Sequence, residues 1–423
     1  MFCGWKIVLA ATVLCTYAQA YDDVEIFLEE KGVKINRFFY DFKSPSASRK
    51  FMRNGWAKTL LEEYGFSGIR TSIYGTGKKP AHPEPGVVLD EYYKNETRGL
   101  KLAKKIKPDV LIFASKKLEN VKSFPSWTKD YNGVIPEKYA ILLIDYLKYM
   151  KDEGLEVDIL GIDNERAFNE GNIMPETHRD IVFELRRLTA ERGLKMPKII
   201  GPEDYAMGRN NWMKIYAELK SDTLDIFGGH YYTRVRPLKR LKSDLAYAGD
   251  LEKWHTELHW DNHGDSSGST HSMETAAYSF MALWDCVDNG MNGFSWWDFN
   301  PKKMRRDHLM HAASVPLINA WPVKVQDPDG SETLDVNELH TRAFLQGDTL
   351  TIYAVNFNAE EEWRNLRFKL ATGHIIGSVQ SRLWSDDAPP EGNSGTIKPF
   401  AGKFFKADIA PGTINIFTCK IKP

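Results

Sequence analysis

Cysteine is scarce in this chain. There are four in 423 residues, and Cys3 and Cys15 fall inside the first fifteen. The remaining pair, Cys286 and Cys419, makes no disulfide framework, and a single bridge between them stays open. Excess charge is missing as well. The 56 basic residues nearly cancel the 57 acidic ones, for a formal net charge of -1. The chain as a whole therefore carries neither the basic footprint of a nucleic-acid binder nor an acidic tail. Long apolar runs are absent too: Ile7 to Leu14 is too short to span a bilayer. With Lys6 before it and Ala18-Gln19-Ala20 after it, that run reads as a secretory signal peptide over residues 1–20. The mature chain is then expected to be secreted, periplasmic or extracellular, with no membrane partner. No repeat or low-complexity tract interrupts it.

What is plentiful is aromatic: 12 Trp, 18 Tyr and 22 Phe. Flat rings pack on the C–H faces of sugars, and they equally fill a large core. About 400 residues after the leader suffice for one large barrel with an appendage, or for two to three ordinary domains. Asn95-Glu96-Thr97 is a glycosylation sequon, used only in a eukaryotic source.

Strand and helix signals alternate. A first strand is expected near Ile35 to Tyr40, then Gly68 to Ile73, Val110 to Phe113, Val157 to Ile162, Lys198 to Gly201, Leu224 to Gly228, Leu251 to Thr256 and Asn292 to Trp297. Between them run helices such as Pro136 to Gly154, where Ala140, Leu143, Ile144, Leu147 and Met150 recur at helical spacing. Pro175 to Arg192 and Thr270 to Asn289 are two more. Eight βα units over roughly 290 residues match an α/β (β/α)8 TIM barrel. After about Pro322 the pattern changes to period-two strands, such as Thr349 to Val355 and Thr413 to Thr418, with turns at Gly347-Asp348 and Pro411-Gly412. The organisation expected is a leader over 1–20, a strand within 21–34 placed to join the β-domain, a catalytic barrel over 35–321 and a small C-terminal β-sandwich over 322–423.

Barrel enzymes work at the C-terminal ends of their strands. Those ends carry Arg70 on strand two, Asp163-Asn164-Glu165 on strand four, His230-Tyr231-Tyr232 on strand six, His255-Thr256-Glu257 on strand seven and Trp296-Trp297-Asp298 on strand eight. Glu165 and Glu257 stand out because cleaving a glycosidic bond takes two carboxyl groups, one to protonate the leaving oxygen and one to attack the anomeric carbon or activate water. Taken singly, each could be an ordinary surface carboxylate past a strand.

In this ordered set the chain resembles the clan A glycoside hydrolases, and family 30 among them; agarase- and porphyranase-like barrels of the same clan are competitors. Asn164-Glu165 with Glu257 matches the clan's acid/base and nucleophile positions. Phe124-Pro125-Ser126-Trp127-Thr128-Lys129 is similar to a family 30 loop after strand three, Tyr139 to Glu165 to its passage into strand four, and His230-x-Tyr232 to its strand-six motif. Arg166 stands where the family has Pro, and Phe38-Phe39-Tyr40 where it has Gly-Phe-Gly. The resemblance implies a secreted retaining β-glycosidase working by double displacement, without cofactor or metal, on a polysaccharide or oligosaccharide. Glu165 would be acid/base and Glu257 nucleophile. Arg70 would keep Glu257 ionised, Tyr232 would hydrogen-bond it, and Asn164 would bond the sugar 2-hydroxyl. Trp297 would floor the subsite, with His230 and Trp127 beside it and Trp254 and Trp260 as weaker candidates.

The loops at that face are basic: Lys78 and Lys79; Lys116, Lys117 and Lys122 against Glu119; Arg234, Arg236, Lys239, Arg240 and Lys242; Lys302, Lys303, Arg305 and Arg306. Such a mouth would concentrate an anionic glycan, uronic-acid-bearing or sulfated, with Arg234 and Arg236 as grips. Asp261 and Asp265 run the other way, and ordinary solvated lysines give the same pattern. Two other readings remain. His255-Thr256-Glu257-Leu258-His259 invites a metal site, although His at i and i+4 share a face only on a helix. A sugar-binding barrel without catalysis would keep the cleft but not need both carboxylates.

Overall fold

The computed structural model describes residues 23–43, 45–73, 81–116, 125–165, 173–205, 207, 212–219, 222–231, 238–258, 273–297, 305–326, 339–356 and 360–422. The leader lies outside these residues.

The chain enters with β1 (Asp23–Lys31) and then supplies a closed barrel. Its first strands are β2 (Arg37–Asp41), β3 (Gly68–Ile73) and β4 (Leu111–Lys116). A hairpin outside the barrel follows, β5 (Lys129–Asp130) with β6 (Gly133–Val134). The barrel then resumes with β7 (Ile159–Gly161), β8 (Lys198–Asp204), β9 (Ile226–Gly229), β10 (Glu252–Leu258) and β11 (Gly293–Trp296). Each pairs in parallel with the next, and β11 closes on β2. This is a (β/α)8 barrel.

The crossover helices form where the apolar spacing and the end signals agree. Pro136–Asp152 starts with Pro in its first turn, where no intrahelical N–H is lost. It buries Leu143, Ile144, Leu147 and Met150. It stops at Gly154, whose φ of 74° is left-handed, while Leu155 N–H bonds back to the Met150 carbonyl. Pro175–Glu191 repeats the device with Gly193.

An apolar layer of Phe39, Phe113, Ile159, Ile200, Ile226 and Trp254 fills the lower barrel. Phe39 packs 5.2 Å from Trp254 and edge-on to Phe113 at 6.0 Å. Burying side chains of this size contributes about 1.5–3 kcal/mol each. Trp254 is therefore barrel filling and not the sugar platform considered from sequence.

Among the described residues the second unit has nine strands. To β1 it adds β12 (Trp321–Gln326), β13 (Leu339–Gln346), β14 (Thr349–Asn356), β15 (Trp363–Leu370), β16 (His374–Trp384), β17 (Asn393–Ile397), β18 (Phe404–Ile409) and β19 (Ile414–Lys422). They run in the order β17-β16-β19-β14-β13-β12-β1-β15-β18. β1 lies between β12, antiparallel, and β15, parallel. The sheet folds over itself: Phe417 of β19 packs 5.0 Å from both Phe368 of β15 and Phe405 of β18, far along the strand order. Tyr353 of β14 fastens this unit to the barrel, packing on Phe280 and Trp284 and donating to the Ala312 carbonyl at 2.6 Å. Cys286 and Cys419 are both buried and free.

Strand five extends beyond the Gly201 end expected from sequence. Pro202 reads there as a strand breaker, yet β8 continues through Glu203 and Asp204, with a register shift against β9.

Candidate active site

Seven of the barrel strands, β2 to β4 and β7 to β10, bring charged or polar groups together above the apolar layer. The hub is Arg70 of β3, fully buried, with its guanidinium 5.4 Å above the Phe113 ring. Nη1 donates to Asp41 Oδ2 and to Glu257 Oε2, both at 2.8 Å. Nη2 donates to Asn164 Oδ1 and to Glu203 Oε1, both at 2.9 Å. The other oxygen of Glu203 accepts the Ser115 hydroxyl at 2.7 Å. One cation thus faces three buried carboxylates. Arg70 responds with a raised pKa: burial opposes its charge, but Asp41, Glu203 and Glu257 outweigh the burial.

The backbone is bent to build this. Glu257 lies where β10 shifts register between His255 and Leu258, an irregularity of the kind that re-aims a side chain. Glu165 and Glu203 both sit in left-handed conformations, with φ of 53° and 48°, and Glu165 N–H bonds to the Glu203 carbonyl at 2.7 Å. Such conformations cost a non-glycine residue about 1–3 kcal/mol and persist only where the surroundings enforce them.

His230, fully buried after β9, joins the two carboxylates singled out from sequence. Its Nδ1 is 3.1 Å from Glu165 Oε1 and its Nε2 is 3.5 Å from Glu257 Oε2. One oxygen each of Glu165 and Glu257 and one His230 nitrogen lie within 4.8 Å of one another. Burial works to raise the Glu257 pKa, but His230, Arg70 and Lys43, together with the Arg70 hydrogen bond, bring it down to about 2. Asp41 moves the other way, raised by burial in spite of Arg70 and Lys43.

Trp297 follows β11 and is 43% exposed, its N–H bonded to the Leu258 carbonyl beside Glu257. Trp296 is turned away into the wall and fully buried. Trp127 is half-buried and donates to the His82 carbonyl at 3.0 Å; no hydrogen bond or ring contact among the described residues joins it to the carboxylates. Tyr232, Arg234, Arg236, His259 and Trp260 lie outside the described residues. His255 belongs to the scaffold: it bonds the Tyr231 carbonyl at 2.9 Å, and burial lowers its pKa to about 3. Among the described residues, the groups close enough to hold a divalent cation are Glu165, His230 and Glu257; His255 is not among them.

One basic residue expected at the mouth is directed elsewhere: Arg305 donates to the carbonyls of Asp386 and Ala388 in the β-domain. Lys116, the last residue of β4, is buried. Four groups of the cluster were not singled out from sequence: Asp41, Lys43, Ser115 and Glu203. Inspecting the ends of all eight strands, instead of five, would have reached Asp41 and Lys43 after β2.

No family model and no curated protein matches the sequence. Solved structures do match in fold. A family 30 endoxylanase from Clostridium papyrosolvens aligns over 94% of this chain and 100% of its own, at 18% identity and a TM-score of 0.64. A glycoside hydrolase family 30 subfamily 8 xylanase from Clostridium acetobutylicum aligns over 94% and 99%, at 17% identity and a TM-score of 0.66. An endo-β-1,6-glucanase aligns over 94% of both chains, at 16% identity and a TM-score of 0.62. At these identities the likeness establishes a common architecture of barrel and β-domain.

Proposed function

We propose that the chain is a retaining β-glycoside hydrolase of clan A, closest to family 30, with Glu257 as nucleophile and Glu165 as acid/base. The observation that carries this is the close approach of the two carboxyl groups, with His230 between them and an oxygen of each within 4.8 Å. Retaining enzymes hold the pair about 5–5.5 Å apart, whereas inverting enzymes need about 6.5–9.5 Å to admit a water. The electrostatics divide the roles. Glu257, against Arg70, is kept as a carboxylate able to attack the anomeric carbon. Glu165 faces it from the other side of His230, in position to protonate a leaving oxygen. After the glycosyl-enzyme forms, Glu165 takes a proton from water as the water oxygen bonds to the anomeric carbon, and Glu257 leaves as a carboxylate. Asn164 directs its amide nitrogen to the sugar 2-hydroxyl, because its oxygen is occupied by Arg70 and Lys43.

The solved xylanases and glucanase of the same architecture are in keeping with a polysaccharide substrate. We take residues 35–321 as the catalytic unit, the leader as an export signal, and an anionic glycan as the preferred class. No helix among the described residues is long and apolar enough to cross a membrane. The deciding experiment is a glycan panel with proton NMR of the first product. Release of the β-anomer supports retention; release of the α-anomer sinks the assignment of the pair.

The three-ligand cluster favours one second reading, hydrolysis assisted by a cation bound to Glu165, His230 and Glu257. Activity abolished by EDTA and restored by a divalent metal would establish it; activity indifferent to EDTA would remove it.

A further inference from the structure

Lys43 is a second cation of the site; it helps to keep Glu257 ionised and Asn164 oriented, and its ammonium has further donors to offer. The chain reaches it by a tight bend: Lys43 N–H bonds to Asp41 Oδ1 at 2.8 Å, turning the backbone as it leaves β2. The half-buried side chain then crosses to the strand-four side of the mouth, where Nζ donates to Asn164 Oδ1 at 2.7 Å.

An ammonium present only to balance Asp41, Glu203 and Glu257 would pair with one of them. This one bonds a neutral amide oxygen and forms no ion pair among the described residues. Two of its three N–H donors remain unassigned there. They lie beside the amide that the proposed mechanism points at the sugar 2-hydroxyl, so the ammonium stands along the C2–C3 edge of the ring held between Glu165 and Glu257. A partly buried cation with donors unassigned among the described residues favours a negatively charged acceptor.

We propose that Lys43 is a specificity-determining residue that binds an anionic substituent on the C2–C3 edge of the sugar held between Glu165 and Glu257. This rests on the glycosidase reading above and narrows it. The anion is an O-sulfate on the ring or the carboxylate of an O-linked uronic acid branch. A carboxylate at C5 of the same ring lies on the opposite edge and does not meet Lys43. The preference also has a pH signature. Burial and the neighbouring Arg70 lower the Lys43 pKa to about 8, against the opposing pull of Glu257, Glu203 and Asp41, so its charge is lost just above neutrality.

The test compares wild type, Lys43→Met and Lys43→Arg on matched oligosaccharides: neutral, O-sulfated at C2 or C3, branched there with a uronic acid, and bearing a C5 carboxylate. Melting curves and far-ultraviolet circular dichroism check that the variants fold. We expect Lys43→Met to lose at least about tenfold more in kcat/KM on one of the two edge-anionic substrates than on the neutral one, the scale of a charge-assisted hydrogen bond, with Lys43→Arg recovering much of it. In wild type, KM for that substrate should climb from pH 7 to 9, and in Lys43→Arg it should stay level. Equal losses on neutral and anionic substrates, or wild-type preference for the neutral or C5-carboxylate substrate, would overturn the assignment while leaving the glycosidase reading intact. Hydrolysis of no glycan would refute the catalytic reading alone. Calorimetric binding of the edge-anionic oligosaccharides to wild type and Lys43→Met then decides the matter: binding lost with Lys43 upholds the inference, and binding indifferent to it overturns it.

Discussion

Gly161 is what admits Glu203 to the barrel. A Cβ at residue 161 would stand 1.8 Å from Glu203 Oε2, so any larger residue there drives the carboxylate off Arg70 and Ser115. Gly161→Ala is therefore expected to destabilise the fold by about 1–3 kcal/mol, the range for overpacking a tight interior. It should also lower kcat more than it raises KM, since Glu203 supports the cluster through Arg70. Denaturant unfolding beside steady-state kinetics would measure both. A stable, fully active Gly161→Ala protein would show that Glu203 has another place to go.

Removing the hub has a larger effect. Arg70→Met leaves Asp41, Glu203 and Glu257 buried without their shared partner. Breaking a buried ion pair typically costs about 3–5 kcal/mol. The same variant should move the acidic limb of the pH–kcat/KM profile upward, because one of the charges that holds Glu257 down to about 2 is gone. Glu257 also links stability to acidity. Its folded pKa is depressed, so its contribution is complete above the ordinary glutamate range near 4.3 and fades as pH falls toward 2. Urea titrations at pH 6, 4 and 3 on wild type and Glu257→Gln should show the gap closing as pH falls.

The carboxylate roles separate by leaving group. Glu257→Gln should abolish turnover on every substrate. Glu165→Gln should lose about 10²–10⁴-fold on natural glycans, the usual weight of general acid catalysis, and much less on aryl glycosides whose leaving group needs no proton. A uniform loss across leaving groups would contradict the acid role.

Behind the site, Tyr231 donates to Asp285 Oδ2 at 2.9 Å, and burial raises the Asp285 pKa to about 7. A folded-state pKa above the unfolded value near 3.9 means that the native chain holds this proton more tightly, so stability falls as pH rises from about 4 to 7. Asp285→Asn keeps an acceptor for Tyr231 and has nothing to ionise. It should therefore gain about 1–3 kcal/mol relative to wild type between pH 4 and pH 8, in denaturant melts at each pH. A constant difference across that range would show that Asp285 titrates normally.

Some of this was written in the local sequence. Eight strands alternating with helices gave the barrel, because apolar periodicity and the Pro and Gly ends of helices such as Pro136–Asp152 act over a few residues. The rule that barrel chemistry gathers at strand ends was enough to reach Glu165, Glu257, Asn164, Arg70 and His230, and Arg70 does lie 2.8 Å from Glu257. Glu203 escaped because Pro202 resembles a strand end when only neighbours in sequence are considered. Arg305 was misplaced because a loop position does not say which way its side chain turns, and this one turns to the β-domain.

Tertiary structure alone decided the rest. Whether Arg70 serves one carboxylate or three depends on Asp41 and Glu203 arriving from strands 29 and 133 residues away. Which histidine joins the carboxylates depended on register: His230 lies between Glu165 and Glu257, while His255, two residues from Glu257, bonds a backbone carbonyl. Lys43 gained meaning only when barrel closure placed it 2.7 Å from Asn164, a residue 121 positions away. Local pattern determines which segments become strands and helices, since those bonds close within a few residues. The charges that face one another across the mouth are set by closure of the whole barrel.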